Sequence, residues 1–105
     1  MKTVITSQSN NQKAPFDPRF GRAAWYCLID DETGKPSFIE NDQAEATGGA
    51  GVKTAEKMVE LGIQKVISGD FGPKAKDLLD KFNIQMVIIT DDHQPIKEII
   101  SRLIN

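Results

Sequence analysis

At 105 residues the chain is long enough for an ordinary hydrophobic core, and it reads as a single domain spanning residues 1–105. Hydrophobic and charged contents of 39% and 27% argue against disorder, and a net charge of −2 argues against a dedicated nucleic-acid or anionic-membrane binder. One cysteine, Cys27, excludes an internal disulfide, and the apolar start at Met1 to Thr6 is too short for a signal peptide, so the expectation is a cytoplasmic protein.

Thr3 to Thr6 reads as a short buried strand centred on Val4 and Ile5. Residues Ser7 to Gly21 carry no periodic apolar pattern. Connections this long in a compact domain are usually functional or disordered. The second half of this one, stiffened by Pro15 and Pro18 and carrying Phe16 and Phe20, reads as a packed, shaped loop. Ala24 to Asp30 is apolar on both faces and therefore a central strand. Asp31 to Lys35 is a hairpin turn, and Pro36 to Asn41 is the returning strand.

Thr47-Gly48-Gly49-Ala50-Gly51 runs directly into a helix over Val52 to Leu61, whose apolar stripe is Val52, Ala55 and Val59, flanked by Met58 and Leu61. Gly62 ends it. Lys65 to Ser68 is a short strand. Pro73 opens a second helix with the stripe Ala75, Leu78, Leu79 and Phe82, ended by Asn83. Gln85 to Thr90 is the last strand, and the final helix begins near Pro95 with Ile96, Ile99, Ile100, Leu103 and Ile104 on one face. Leu61 to Asp70 aligns with Phe82 to Asp91 at an offset of 21 residues, so two helix-to-strand units lie side by side with parallel strands. Gly62 and Asn83, equivalent in that alignment, are residue types that tolerate a left-handed helix cap.

The order β-β-β-α-β-α-β-α predicts an α/β fold: a mixed five-stranded sheet, strand order 3-2-1-4-5, strand 2 antiparallel, helices on both faces. In that order the carboxyl ends of strands one, three, four and five share an edge with three connections: Phe16 to Arg22, Gly48 to Gly51, and Gly69 to Pro73. Open α/β sheets bind ligands at such an edge. Helix starts carry unpartnered amides and a positive dipole end, so two of them together with Arg19 and Arg22 predict a pocket for a compact anion. The glycines also admit the plainer reading of turns that only cap helices, and the arginines that of surface ion pairs.

Nucleotide motifs fail. Gly49-Ala50-Gly51 lacks the third glycine of a dinucleotide fingerprint, with Thr54 in its place, and Val52 interrupts Gly51-Val52-Lys53-Thr54 as a phosphate loop. Cys27, mid-strand, reads either as a small buried hydrophobe or as a metal ligand, and His93 either as a solvated turn residue or as a ligand. Asp91-Asp92 admits a cation or a turn before a helix. No nucleophile–base pair can be assembled, since Ser68 and Thr90 have only His93 as a prospective partner.

Three segments together, Arg19-Phe20-Gly21-Arg22-Ala23, Gly48-Gly49-Ala50-Gly51 and Gly69-Asp70-Phe71-Gly72-Pro73-Lys74-Ala75, resemble the dinitrogenase iron–molybdenum cofactor biosynthesis family. That family includes NifX-type carriers and the domain fused to the end of NifB-type proteins. The resemblance covers Thr3 to Leu103. It implies a three-layer ribonuclease-H-like α/β/α fold and a non-catalytic role in binding or ferrying an iron–sulfur or iron–molybdenum-type cluster, with cluster-assembly proteins as partners. The positions it carries over as cofactor-binding are Arg19, Phe20, Gly21, Arg22, Gly48, Gly49, Ala50, Gly51, Gly69, Phe71, Gly72 and Pro73. Many relatives have histidine immediately before the Phe-Gly pair, where this chain has Arg19, so the resemblance implies a cluster held by charge and hydrogen bonds, by a second subunit or through its own ligands. The alternative function is an enzyme or sensor for a small anionic metabolite at the same edge, with His93 or Asp70 as acid–base.

Overall fold

The computed structural model of the chain describes residues 1–30, 32–45, 48–91 and 93–104. Asp31 of the hairpin turn, Thr47 ahead of the glycines and Asp92 beside Asp91 lie outside the described residues. The elements among them are β1 (Lys2–Ser7), β2 (Trp25–Asp30), β3 (Pro36–Glu40), α1 (Ala50–Glu60), β4 (Lys65–Ser68), α2 (Pro73–Lys81), β5 (Gln85–Ile88) and α3 (Ile96–Ile104). No described helix is long and apolar enough to cross a membrane.

The strands form one sheet in the order β3-β2-β1-β4-β5, as the element pattern predicts. β2 runs antiparallel to both its neighbours, and the β1–β4 and β4–β5 pairs are parallel. Register decides what each strand buries, because successive side chains leave a strand on opposite faces. Val4 stands beside Leu28 and Val66, and Ile5 beside Cys27 and Ile67. The first set joins Tyr26 in a core built with Ala55 and Met58 of α1 and Ala75 and Leu79 of α2. The second joins Ile29 in a core built with Ile96, Ile99 and Ile100 of α3. Helices therefore cover both faces of the sheet, and this is why its strands are continuous apolar runs rather than alternating ones.

The two helix-to-strand units end their helices identically. Gly62 and Asn83 are left-handed, at φ 71° and 58°. In each, the next residue's amide reaches back to the helix: Ile63 N–H to Met58 O at 3.0 Å, and Ile84 N–H to Leu79 O at 2.9 Å. Both are Schellman closures, so the sequence echo has a backbone cause.

The helix stripes differ from expectation. α1 begins at Ala50, ahead of the predicted Val52, and buries Ala50, Thr54, Ala55 and Met58. Val52 and Val59 are only half-buried, because α2 packs beside α1 and turns the valine side towards the surface groove between the two helices. On α2, Ala75 and Leu79 are buried while Phe82 is 50% exposed. Phe82 is the C-cap, where the chain has already left the helical path. β5 stops at Ile88 rather than Thr90, since its neighbour β4 ends at Ser68.

The long first connection is a packed loop in its second half. Phe16 enters the α3-side core and Phe20 the α1/α2-side core. Phe16 N–H donates to Gln94 O at 2.8 Å, and Gln8 N–H to Pro15 O at 3.1 Å. The α2 contrast gives a direct test. Leu79→Ala is expected to cost about 2–5 kcal/mol in urea unfolding and Phe82→Ser less than about 1 kcal/mol. Equal costs would mean that Phe82 is packed in the core alongside Leu79.

Candidate anion-binding site

Two close backbone contacts bring the connections together at the carboxyl edge of the sheet. The segment at Pro18 and Arg19 runs beside the end of β4, with Arg19 bridged in parallel to Asp70. Gly69 and Asp70 N–H both donate to Pro18 O at 3.0 Å. A Cβ at Gly69 would lie 2.4 Å from that of Pro18, so only glycine fits. Below them the Thr6 hydroxyl donates to Asp17 O and lies 3.0 Å from Ser68 Oγ, stitching β1 to both segments. At the second contact, a Cβ at Gly21 would sit 2.8 Å from the amide nitrogen of Gly51.

Buried polar groups hold that second contact. Asn41 Nδ2 donates to Gly21 O at 3.0 Å and Ala23 O at 2.8 Å. Tyr26 O–H donates to Phe20 O at 2.9 Å, and its oxygen is 3.1 Å from Thr54 Oγ1 on α1. Thr54, which takes the place of the third glycine of a dinucleotide motif, therefore satisfies a buried phenol instead. Burial pushes the Tyr26 phenol up to about 12.

Around these contacts lies an open cavity of about 410 Å³, within the range of small-ligand sites. Phe20, Gly21 and Arg22 form one wall; Gly49, Ala50, Gly51 and Val52, the start of α1, a second; and Asp70, Gly72, Pro73, Lys74 and Ala75, the start of α2, a third. The three segments singled out from the sequence do meet on one rim.

The helix starts there are unusual in their capping. Gly49 caps α1 from the left-handed region at φ 71°, and Gly72 caps α2 from an extended conformation. Neither helix has a side-chain cap among the described residues or an acid in its first turn. The first backbone bonds are Lys53 N–H to Gly49 O and Lys76 N–H to Gly72 O. The amides of Ala50, Gly51, Val52, Lys74 and Ala75 precede them and have no partner within their helices. α3 behaves differently: its leading amides, Ile96 and Lys97, donate to Ala14 O and Gln12 O at 2.9 and 2.8 Å. The helix remote from the cavity is capped by the loop, while the first residues of the other two line the cavity. Each such end carries about half a positive charge. Arg22 and Lys74 add to it and Asp70 opposes it, so the rim is positive on a chain of net charge −2.

The remaining expected site residues fall elsewhere. Arg19 turns from the rim to Asp17: its Nε and an η-nitrogen lie 3.1 and 3.0 Å from the two carboxylate oxygens. The Asp17 side chain is 2% exposed and that of Arg19 61%, so Arg19 neutralises a buried carboxylate, and the hydrogen bond and charge of Asp17 raise the Arg19 guanidinium above its ordinary value. Gly69 is the contact point for Pro18 rather than part of the wall. Phe71 packs on Phe20, ring centroids 5.1 Å apart, behind the wall. Gly48 is exposed and off the rim. Cys27 is fully buried in the α3-side core, where desolvation lifts its thiol to about 12, so it is not placed to ligate a metal. His93 is exposed in the turn before α3, away from the cavity, its N–H donating to Asp91 Oδ1 at 3.1 Å. Among the described residues no three of His, Cys, Asp and Glu gather where they could hold a metal ion. Lys74 was not singled out from the sequence. Its signal is its place just after Gly72-Pro73, on the first turn of a helix with a glycine cap. Arg22 donates to Ala44 O at 3.1 Å.

Cys27 and Tyr26 hold their protons more tightly folded than unfolded, against ordinary values of 9.0 and 10.0. Their contribution to stability is complete below pH 9 and is lost as the pH rises from 9 towards 12. Tyrosinate absorbance, reporting the single tyrosine, is expected to appear together with alkaline unfolding. Tyrosinate formation near pH 10 in the folded protein would contradict this.

Comparison with known proteins places this site in context. All of residues 1–105 match the family described as dinitrogenase iron-molybdenum cofactor. An uncharacterised protein of Methanocaldococcus jannaschii is 25% identical over 89 residues, spanning 82% of this chain and 72% of its own. The apo form of the orange protein from Desulfovibrio gigas superposes with a TM-score of 0.85 at 25% identity, over 97% of this chain and 85% of that one. A Thermotoga protein described as NifB, of the DUF35 family, superposes at 0.81 and 24% identity, again over 97% and 85%, which speaks to the fold. With its whole length matched, the chain belongs to the dinitrogenase iron-molybdenum cofactor family.

Proposed function

We propose that the chain is a small, non-catalytic binding or carrier protein for an anionic iron–sulfur-type metallocluster or its precursor, seated at the rim formed by Arg22, Lys74 and the starts of α1 and α2. The observation that carries this reading is the pair of glycine-capped helix starts facing one cavity, while the helix remote from it has its amides satisfied. Sulfide-rich clusters are compact and net negative, and backbone amides at a helix start suit such a ligand without bonding to its metals. The residues fit the cargo's charge and not its coordination: Arg19 is engaged with Asp17, and Cys27 is buried on the other side of the sheet. The cargo would therefore arrive with its metal ligands complete and leave with them intact, which suits transfer. Family membership supports a cofactor-related role, and so does the description of the orange protein structure as an apo form. The ribonuclease-H-like designation of the fold belongs to the same proposal, supported by the mixed sheet with its antiparallel second strand. A second reading, a sensor or enzyme for a small anionic metabolite, is favoured by one observation: Asp70 stands on the cavity wall as a prospective acid–base.

Anaerobic addition of iron and sulfide, or of an isolated cofactor precursor, is expected to give a stoichiometric brown complex that Arg22→Ala with Lys74→Ala weakens at least tenfold. Gly72→Asp is the sharper test. Gly72 already has extended cap geometry, and a Cβ there meets nothing within 4 Å. An aspartate would cap the α2 amides and add about 0.5 kcal/mol of stability while occupying the anion's place. Stability up and binding lost is the expected pair of results. Full binding by Gly72→Asp would exclude the α2 start from the site. Failure of any cluster to bind, alongside a thermal shift with phosphate, would favour the metabolite reading.

A further inference from the structure

Residues 20–23 belong to neither helix nor strand, yet they carry Arg22, the cation of the first cavity wall. Ordering a long side chain when a ligand arrives subtracts from affinity, so an arginine already held in place binds an anion better than a loose one. What holds Arg22 traces to Asn41. β3 ends at Glu40, opposite Trp25, and the pairing continues one residue further, with Asn41 N–H donating to Ala24 O at 3.0 Å. That sets the Asn41 side chain, 7% exposed, beside the residues that precede β2. Its Nδ2 donates to Gly21 O and Ala23 O at 3.0 and 2.8 Å, the carbonyls on either side of Arg22. Its Oδ1 accepts Gln43 N–H at 2.9 Å. The next residue of that turn is Ala44, whose carbonyl accepts from Arg22 Nη1 at 3.1 Å. Two carbonyls at one end and an N–H at the other admit a single orientation of the Asn41 amide.

We propose that Asn41 is the positioning residue of the rim: one buried amide fixes the backbone on both sides of Arg22 and the turn that holds its guanidinium. Asn41 is not among the residues lining the cavity, so it acts on a ligand only through Arg22. No other side chain of its size does the same. Aspartate still accepts from Gln43 but sets a carboxylate against two carbonyls, and serine has one donor where two are needed. The effect of Asn41 on binding rests on the carrier reading of the rim, whereas its hold on Arg22 does not.

Nitrogen NMR of the isotope-labelled, ligand-free protein tests the hold. Both Nδ2 protons of Asn41 are expected to exchange slowly, and the Arg22 guanidinium to rotate slowly. Asn41→Ser and Asn41→Asp are each expected to free that guanidinium while leaving the far-ultraviolet circular dichroism spectrum unchanged. Anaerobic addition of iron and sulfide tests the consequence. Asn41→Ser is expected to weaken cluster binding about fivefold, but less than about twofold when Arg22→Ala is already present, because the two residues act as one unit. Equal weakening in both backgrounds would mean a general loosening of the loop and would overturn the proposal. So would a fast-exchanging Asn41 amide in the parent protein, or an Arg22 that stays restricted in Asn41→Ser. Should the parent bind no cluster, the carrier reading fails and the NMR result alone decides the role of Asn41.

Discussion

The backbone of the Phe20–Arg22 segment lies against the first turn of α1 so closely that a methyl group at Gly21 would be 2.8 Å from a main-chain nitrogen. Side chains normally keep two stretches of backbone further apart than this. Where they are absent, the amides of one stretch and the cation of the other can face the same small volume. A comparable approach at Gly69, against Pro18, anchors the other side of the edge. Only an isolated bridge, Arg19 to Asp70, and the amides of Gly69 and Asp70 on Pro18 O tie the first connection to the end of β4, so the walls depend on these close approaches.

Glycine contacts of this sort have little rigidity of their own, and the chain supplies it with buried hydrogen bonds. Asn41 clamps the carbonyls of Gly21 and Ala23, Tyr26 links Phe20 to Thr54, and Thr6 links Asp17 to Ser68. Arg19 covers the carboxylate of Asp17, whose oxygen also receives the Arg19 amide at 3.0 Å. Each of these groups is satisfied, as burial demands. The starts of α1 and α2 stand against this background: the polar groups beneath the rim are matched, whereas among the described residues neither helix start has a side-chain cap. A helix gains stability from a cap, so two starts without one, side by side, are what the proposed anion site would require.

A site built from main-chain donors also leaves a thin trace in the sequence. It asks for glycine and for helix starts, and both are common in loops for unrelated reasons. Of the metal-binding residue types that usually betray a cofactor site, Asp70 alone among the described residues stands on the wall here. Arg19 illustrates the hazard. By type and position it suits an anion site, yet its partner stands two residues before it, and only the burial of Asp17 decides the matter.

The element order, the parallel and antiparallel strand directions and the sheet order were legible from the chain alone. They follow from local causes: a short hairpin reverses a strand, a helix between strands makes them parallel, and apolar runs need cover on both faces. The left-handed closures at Gly62 and Asn83 were legible for the same reason, since φ preference belongs to the residue. Which side of α1 is buried, the exposure of Phe82, the desertion of Arg19 to Asp17 and the arrival of Lys74 on the rim were not. Each depends on what a side chain meets from a distant part of the chain. Sequence periodicity specifies that a helix has an apolar face, but the angle at which α2 lies beside α1 is set by packing. An electropositive edge was legible from the glycine-led helix starts and the arginines, but tertiary structure decided which side chains share it with the helix dipoles: Arg22 and Lys74, not Arg19.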